Sequence, residues 1–309
     1  MADTSSNPFI LVTGSYDNTI RYWDPYRNAT LKTIKHDTYI NKLEITPDQQ
    51  LVAVAGGNSV KLYEINSNSN YPLLSYNGHT GNVTSLGFNK YCKWLYTGSE
   101  DGTIKIWDFR VQGFQRTFDN ESAVNDVTLH PNQGELISGD RSGLVKIRDL
   151  GTDKCRMELA PENDKSIMSL TVSYDACHLI AGNSSGNCYV WQSKDGENHE
   201  GPKKISAHEQ YILKCILSPD AEYLATSSSD TSIKLWKMVD DTYVHDKTLR
   251  GHSKWVWDCV FTCDGKYLVS ASTDITAKFW EVESGNILRT LQGHSKGVTC
   301  LALSDHPVQ

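Results

Sequence analysis

Thr103-Ile104-Lys105-Ile106-Trp107 decides the fold, because the same phrase returns along the whole chain. Clear copies are Thr19-Ile20-Arg21-Tyr22-Trp23, Ser232-Ile233-Lys234-Leu235-Trp236 and Thr276-Ala277-Lys278-Phe279-Trp280, and weaker ones end at Tyr63, Arg148 and Trp191. Each copy alternates with period two, as a strand requires, and no segment sustains a 3.6-residue apolar stripe. The end points 23, 63, 107, 148, 191, 236 and 280 lie 40, 44, 41, 43, 45 and 44 residues apart. A period of that length holds four short strands, and seven such units fill the 309 residues. The pattern predicts an all-β chain folded as a seven-bladed β-propeller.

A second interval runs through the same units. His79 precedes Asp101 by 22 residues, and His208–Asp230 and His252–Asp274 repeat the spacing. A hydroxyl stands four residues before each Asp (Thr97, Thr226, Ser270) and a tryptophan six after it (Trp107, Trp236, Trp280). This set resembles the WD-repeat family. The resemblance implies that His, Ser/Thr, Asp and Trp form one hydrogen-bonded chain inside each blade. The chemistry suits the role: carboxylate accepts from imidazole, hydroxyl donates and accepts, and indole N–H closes the chain. A satisfied buried network rigidifies a blade, whereas a broken one leaves a costly orphan.

The first unit has Thr13, Asp17 and Trp23 but no histidine before them, and His294 in the last segment supplies it. The C-terminal strand is therefore expected to complete the first blade. Residues 1–309 then form one propeller, with blade one built from about 9–35 plus 294–305. Such closure removes open sheet edges, so trimming 294–309 is expected to be far worse than trimming 1–7. Three units depart from the pattern: blade two has His36 with Gly57 and Tyr63, blade four has Ser142 and Arg148, and blade five has Ser185 and Trp191 without a histidine. Their polar chains are expected to be incomplete and these blades more mobile.

With 30 basic against 37 acidic residues the net charge is −7, and no basic run exceeds two residues. Nucleic-acid binding by counterion release needs a clustered positive face, so no nucleic-acid partner is expected. Met1 to Phe9 shows neither a basic nor an apolar leader region, and no apolar run reaches a membrane span, so neither secretion nor membrane insertion is expected. The eight cysteines are scattered without a Cys-x-x-Cys pair, which reads as reduced cytosolic thiols with no metal or cofactor.

Gly182-Asn183-Ser184-Ser185-Gly186 matches the nucleophile elbow of α/β-hydrolases, which needs a helix after it. Here a strand follows, and the place equals the turn Ser99-Glu100-Asp101-Gly102 of blade three. It reads as a turn. Phosphate loop, dinucleotide fold and HExxH patterns are missing, and His130, His178, His199, His245 and His306 assemble into no constellation. No enzyme is expected.

Trp94, Trp255 and Trp257 lie outside the blade pattern. The last two stand three and five residues after His252, and the same places hold Tyr39 and Asn41 after His36, Asn82 and Thr84 after His79, Tyr211 and Leu213 after His208, and Gly297 and Thr299 after His294. In WD-repeat propellers these positions approach the upper rim of the channel. Tyr211, Trp255, Trp257, Tyr39 and Asn41 then form an aromatic arc on blades six, seven and two, with a glycine-lowered blade one between. Large rigid rings with one polar tip suit a partner surface.

Several stretches are closer still to one branch: Ser15-Tyr16-Asp17-Asn18-Thr19-Ile20-Arg21-Tyr22-Trp23, Leu62-Tyr63-Glu64-Ile65-Asn66-Ser67-Asn68, Leu129-His130-Pro131-Asn132-Gln133-Gly134-Glu135-Leu136-Ile137-Ser138, Gly186-Asn187-Cys188-Tyr189-Val190-Trp191 and Trp255-Val256-Trp257-Asp258-Cys259. They resemble the G-protein-β-subunit-like family, the small propeller subunits of TOR kinase complexes, collinearly from about residue 9 to 305. The resemblance implies a non-catalytic subunit docked on the C-terminal lobe of the TOR kinase domain, with raptor-type or rictor-type accessory subunits, in growth signalling and cytoskeletal control. It implies a cytoplasmic protein associated peripherally with vacuolar or lysosomal and other endomembranes through the complex. The matching contact positions are Tyr39, Asn41, Trp255 and Trp257, and Tyr211 is added from its place on blade six. Trp107-Asp108-Phe109-Arg110 also matches the W-D-x-R docking phrase of cullin-ligase substrate receptors. A heterotrimeric G-protein β subunit needs an N-terminal helix, and with eight residues before the first strand that class is not expected.

Overall fold

The structure is a computed structural model that describes residues 9–24, 27–111, 113–194 and 199–305. The N-terminal residues 1–8 and His306 lie outside them. The described strands form seven four-stranded sheets with antiparallel pairing throughout. No helix interrupts them among the described residues. Sheet one joins Ile10–Ser15, Thr19–Asp24 and Ala29–Lys35 to Val298–Ser304, the last strand of the chain, which lies innermost. The innermost strands of successive blades touch in an unbroken cycle, from Lys42–Ile45 round to Val298–Ser304 and back. The chain is thus the seven-bladed propeller that its repeat predicts, closed in blade one by its C-terminal strand.

Seven apolar clusters hold the ring, each between two neighbouring blades. Between blades two and three, for example, Ala53, Ala55, Val60 and Leu62 meet Val83, Leu86, Leu95 and Trp107. The alternating phrase explains this. Both faces of every sheet meet a neighbour, so the residues between the apolar ones are small, hydroxylic or long-stemmed.

In four blades the polar chain is made in full. Trp107 Nε1 donates to Thr97 Oγ1 at 2.9 Å, that hydroxyl lies 2.8 Å from His79 Nε2, and His79 Nδ1 lies 2.9 Å from Asp101 Oδ2. With the hydroxyl oxygen receiving the indole proton, the hydroxyl donates to Nε2 and Nδ1–H donates to the carboxylate. The sets Trp236–Thr226–His208–Asp230 and Trp280–Ser270–His252–Asp274 repeat it. So does Trp23–Thr13–His294–Asp17, although its histidine comes from the far end of the chain. Each aspartate also caps its turn: Asp101 Oδ1 accepts from the Thr103 amide at 2.9 Å and hydroxyl at 2.6 Å.

The expectation of an incomplete chain is overturned in blade four, where other side chains rebuild it, and holds in blade five, where Ala181 stands in the hydroxyl's place and a separate network forms round Glu162. In blade four Arg148 Nη1 takes the indole's place, donating to Ser138 Oγ at 2.9 Å, and Asn120 takes the histidine's, donating to Asp140 Oδ2 at 2.9 Å. In blade five Glu162 Oε2 accepts from Asn183, Asn187 and the Tyr189 hydroxyl at 2.9, 3.0 and 2.5 Å. The turn is then capped two residues upstream of the usual aspartate, by Asp140 and Asn183. Blade two also keeps a gap: Val54 replaces the hydroxyl, and buried His36 Nε2 has no partner. The turn read as no elbow runs straight from the strand His178–Asn183 into Asn187–Gln192.

Inside the channel a second set of charges clasps the blades. Lys42 Nζ on blade two reaches Asp258 Oδ2 on blade seven at 3.3 Å, spanning blade one. Lys214 on blade six reaches Asp126 on blade four at 3.5 Å, spanning blade five. Asp258 Oδ2 also accepts from the Leu301 amide, and Asp126 from Ser85, Ser169 and the Leu170 amide, so Asp258 ties three blades and Asp126 four. Burial works against the charge on Lys42, but Asp258, Glu44 and Asp126 outweigh it and raise its pKa.

Deleting residues 294–309 removes both the closing strand and His294. The expected product unfolds without cooperativity in a circular-dichroism melt; a sharp native-like transition would show that the ring closes without that strand. Asp258→Ala leaves the Lys42 ammonium without its nearest carboxylate and is expected to cost roughly 2–4 kcal/mol in urea unfolding. Adding Lys42→Met should restore more than half; simple additivity of the two would show an uncoupled pair.

Acid sensitivity follows from the tetrads. Burial alone would raise the Asp17 carboxyl, but hydrogen bonds from Thr19 and the Ser295 amide, together with His294, hold it at about 2. Asp101, Asp230 and Asp274 are held lower by the same kind of contacts. Burial also pushes His79 and His294 below the ordinary 6.5 despite their aspartates. For both residue types the unfolded chain binds more protons, so stability rises with pH. The thermal midpoint should hold above about pH 7, fall as the unfolded histidines protonate below about 6.5, and fall further below about 4. A midpoint that climbs between pH 7 and 5.5 in calorimetry would mean the histidines are charged in the fold.

Candidate functional site: the upper mouth of the channel

The inner strand of six blades carries a β-bulge at its second residue. Pairing skips from Val83 to Ser85, Val124 to Asp126, Ile167 to Ser169, Ile212 to Lys214 and Val256 to Asp258, and in blade one it skips Thr299. The extra residue leaves the ladder and its side chain is re-aimed. Thr84, Asn125, Met168, Leu213, Trp257 and Thr299, the six bulge residues, therefore all line one funnel of about 520 Å³ at the channel mouth. Asn41 lines it from blade two, where no bulge occurs.

These seven places divide by chemistry. Thr299 Oγ1 donates to the Ile40 carbonyl at 2.6 Å, Asn41 Nδ2 to Val83 at 3.1 Å, Thr84 Oγ1 to Val124 at 2.7 Å and Asn125 Nδ2 to Ile167 at 2.7 Å. Each bond crosses to the next blade, so blades one to five are stitched along the rim. On blades five to seven the same places hold Met168, Leu213 and Trp257, which donate nothing across and leave an apolar sector. The funnel floor is the charged clasp of Lys42, Asp126, Lys214 and Asp258.

The predicted residues sort against this geometry. Trp257 is half-buried, and its indole donates to Thr273 Oγ1 at 2.8 Å, which fixes the ring over the mouth. Trp255 packs against it with ring centroids 5.7 Å apart and stays 42% exposed. Tyr39, 38% exposed, donates to Asn82 Oδ1 at 3.0 Å, and Asn82 in turn donates to Glu100 at 2.7 Å. Tyr211 is 52% exposed on blade six and makes no ring contact with the others among the described residues.

Blade one is not the gap that Gly297 suggests. Tyr16 fills it, 5.9 Å from Tyr39 between centroids, with its amide donating to the Gly297 carbonyl at 3.0 Å. Gly297 is required for closeness instead, since a Cβ there would come within 3.0 Å of Thr273 Cα on blade seven. Sequence reading missed Tyr16, although a signal existed. It directly precedes the tetrad Asp17, and the same register holds Glu100 and Thr273, both part of the rim. Met168 was missed because blade five lacks the histidine from which the register is counted.

Other candidates carry less. Arg110 of the W-D-x-R phrase folds back on Asp108, its Nε and Nη2 donating at 2.9 and 2.6 Å. No cluster of three or more metal-ligating side chains occurs among the described residues. No described helix is long and apolar enough to cross a membrane.

Two family models match the sequence. One described as the IFT122 first beta-propeller covers residues 39–307, and the WD domain, G-beta repeat, covers residues 2–24. Among curated proteins, the chain is 50% identical to the target of rapamycin complex subunit wat1 of Schizosaccharomyces pombe, over 97% of this chain and 96% of that one. It is 46% identical to subunit LST8 of Saccharomyces cerevisiae, over 96% and 99%, and 43% identical to LST8 of Bos taurus, over 97% and 96%. Identity at that level along essentially the whole ring, together with the repeat pattern, means that the chain belongs to the LST8 and wat1 family of WD-repeat propellers.

Proposed function

We propose that this chain is the propeller subunit of a target of rapamycin complex, and that it serves there as a binding part with no catalytic step of its own. The observation that carries the reading is the apolar sector and aromatic arc at the channel mouth, in a chain whose full-length relatives bear that subunit's name. The arc docks on the C-terminal lobe of the kinase domain through Tyr39, Asn41, Tyr211, Trp255 and Trp257, with Tyr16 added to the set. Rings fixed by hydrogen bonds at one end lose little entropy when a partner covers them. A rigid propeller pressed on a mobile kinase segment holds the geometry that phosphoryl transfer needs and narrows access to the cleft. Raptor-type or rictor-type subunits complete the assemblies, through which the chain supports growth signalling and cytoskeletal control. Its place is then the cytoplasm, with peripheral attachment to vacuolar or lysosomal and other endomembranes through the complex.

The test is native affinity purification of the tagged chain beside Trp255→Ala/Trp257→Ala. The double variant should keep its thermal midpoint to within about 3 °C, as rim substitutions do. TOR kinase should accompany the wild type in near-equal amount and drop at least about tenfold in the variant, as loss of a hot spot requires. Kinase retained by the variant moves docking off the arc. A ligase adaptor in place of the kinase overturns the reading and turns attention to Arg110.

A further inference from the structure

Lys254 and Lys296 stand at one register, two residues after His252 and His294, on neighbouring blades seven and one. The same register holds uncharged Thr38, Gly81, Ser122 and Gln210 on blades two, three, four and six, and a third lysine, Lys165, on blade five. The loop under each lysine is pinned: Ser272 Oγ donates to the Lys254 carbonyl at 3.2 Å, and Ser15 Oγ to the Lys296 carbonyl at 3.1 Å. Both residues are exposed, and among the described residues neither ammonium has a carboxylate within ion-pair distance. Elsewhere in this chain of net charge −7, Lys42, Lys61, Lys146 and Lys214 do find acids. Nearby acids are engaged elsewhere. Asp17 and Asp274 belong to tetrads, Asp37 pairs with Lys61, and Glu100 accepts from Asn82. Glu209 on blade six is the exception, one register earlier.

The two free ammonium groups sit next in sequence to Trp255 and to the Gly297 that Tyr16 covers, so they border the arc. We propose that the arc takes an acidic peptide segment: an apolar anchor seated on Trp255 and Trp257, flanked by carboxylates that Lys254 and Lys296 hold. This names the chemistry of the docked segment and rests on the docking reading above. Lysine presents a mobile point charge and no planar fork, which suits carboxylates of loosely fixed orientation. Each exposed pair adds a modest amount, and the two together orient the segment and speed its capture. Selectivity then divides between the parts: rings supply affinity, and lysines reject a basic segment.

Three fluorescein-labelled twelve-residue peptides share a Leu-Phe core flanked on both sides by paired Asp, Asn or Lys. Anisotropy titrations at low salt use the full chain and the variant Lys254→Glu/Lys296→Glu, with a thermal melt to show that both are folded. The Asp peptide should bind the wild type about tenfold more tightly than the Asn peptide, and the margin should shrink as salt rises. In the variant the Lys peptide should become the preferred one. Equal binding of Asp and Asn peptides, absence of measurable Asp-peptide binding, or an Asp preference that survives the charge reversal each overturns the proposal. The outcomes separate from those of the purification. Kinase capture without Asp preference removes the lysine clamp alone, whereas Asp preference without kinase capture leaves the clamp and removes the TOR assignment.

Discussion

The antiparallel pairing of Ile10–Ser15 with Val298–Ser304 is the contact on which everything else depends. A propeller is a sheet-against-sheet ring, and each blade is buried only if both of its neighbours are present. The pairing joins residues separated by nearly the whole chain, so it carries the largest loop-closure cost in the molecule. Several groups offset that cost at one place. His294 completes the blade-one tetrad through Thr13 and Asp17, Thr299 bonds onward to blade two, and Asp258 receives the Leu301 amide while gripping Lys42. Closure is therefore distributed over hydroxyl, imidazole and carboxylate groups as well as over the ladder.

The repeat, the blade count and the closing strand were legible in the sequence because their signals are periodic. A Trp six residues after an Asp, and a His 22 before it, survive as intervals whatever lies between. The rebuilt chain of blade four and the Glu162 network of blade five were not legible for the opposite reason. Arg148 can replace an indole only because Asn120 and Asp140 change with it, and Glu162 serves blade five from a place outside the expected spacing. Those are solutions found in three dimensions, with no interval to betray them. The channel clasp was hidden too, since Lys42 with Asp258 and Lys214 with Asp126 pair across an intervening blade.

At the mouth, spacing from each histidine led to Tyr39, Asn41, Trp255 and Trp257, and failed where its reference failed. The split between a stitched polar half and an open apolar half needs the cross-blade bonds of Thr299, Asn41, Thr84 and Asn125 to be seen. It also explains direction. A partner meets saturated donors on one side and apolar methionine, leucine and indole surface on the other, so the mouth favours one approach over the rest.

The recurring bulge has a further consequence. On blades five to seven its residue belongs to no ladder pair and donates nothing to a neighbouring blade, so exchanging Met168, Leu213 or Trp257 disturbs neither the strand register nor the bonds that stitch the rim. The mouth is in effect a dial of interchangeable characters set in a fixed casing. What the ring grips on those three blades can be rewritten one blade at a time, while the tetrads, clasps and rim stitches that keep it closed go untouched.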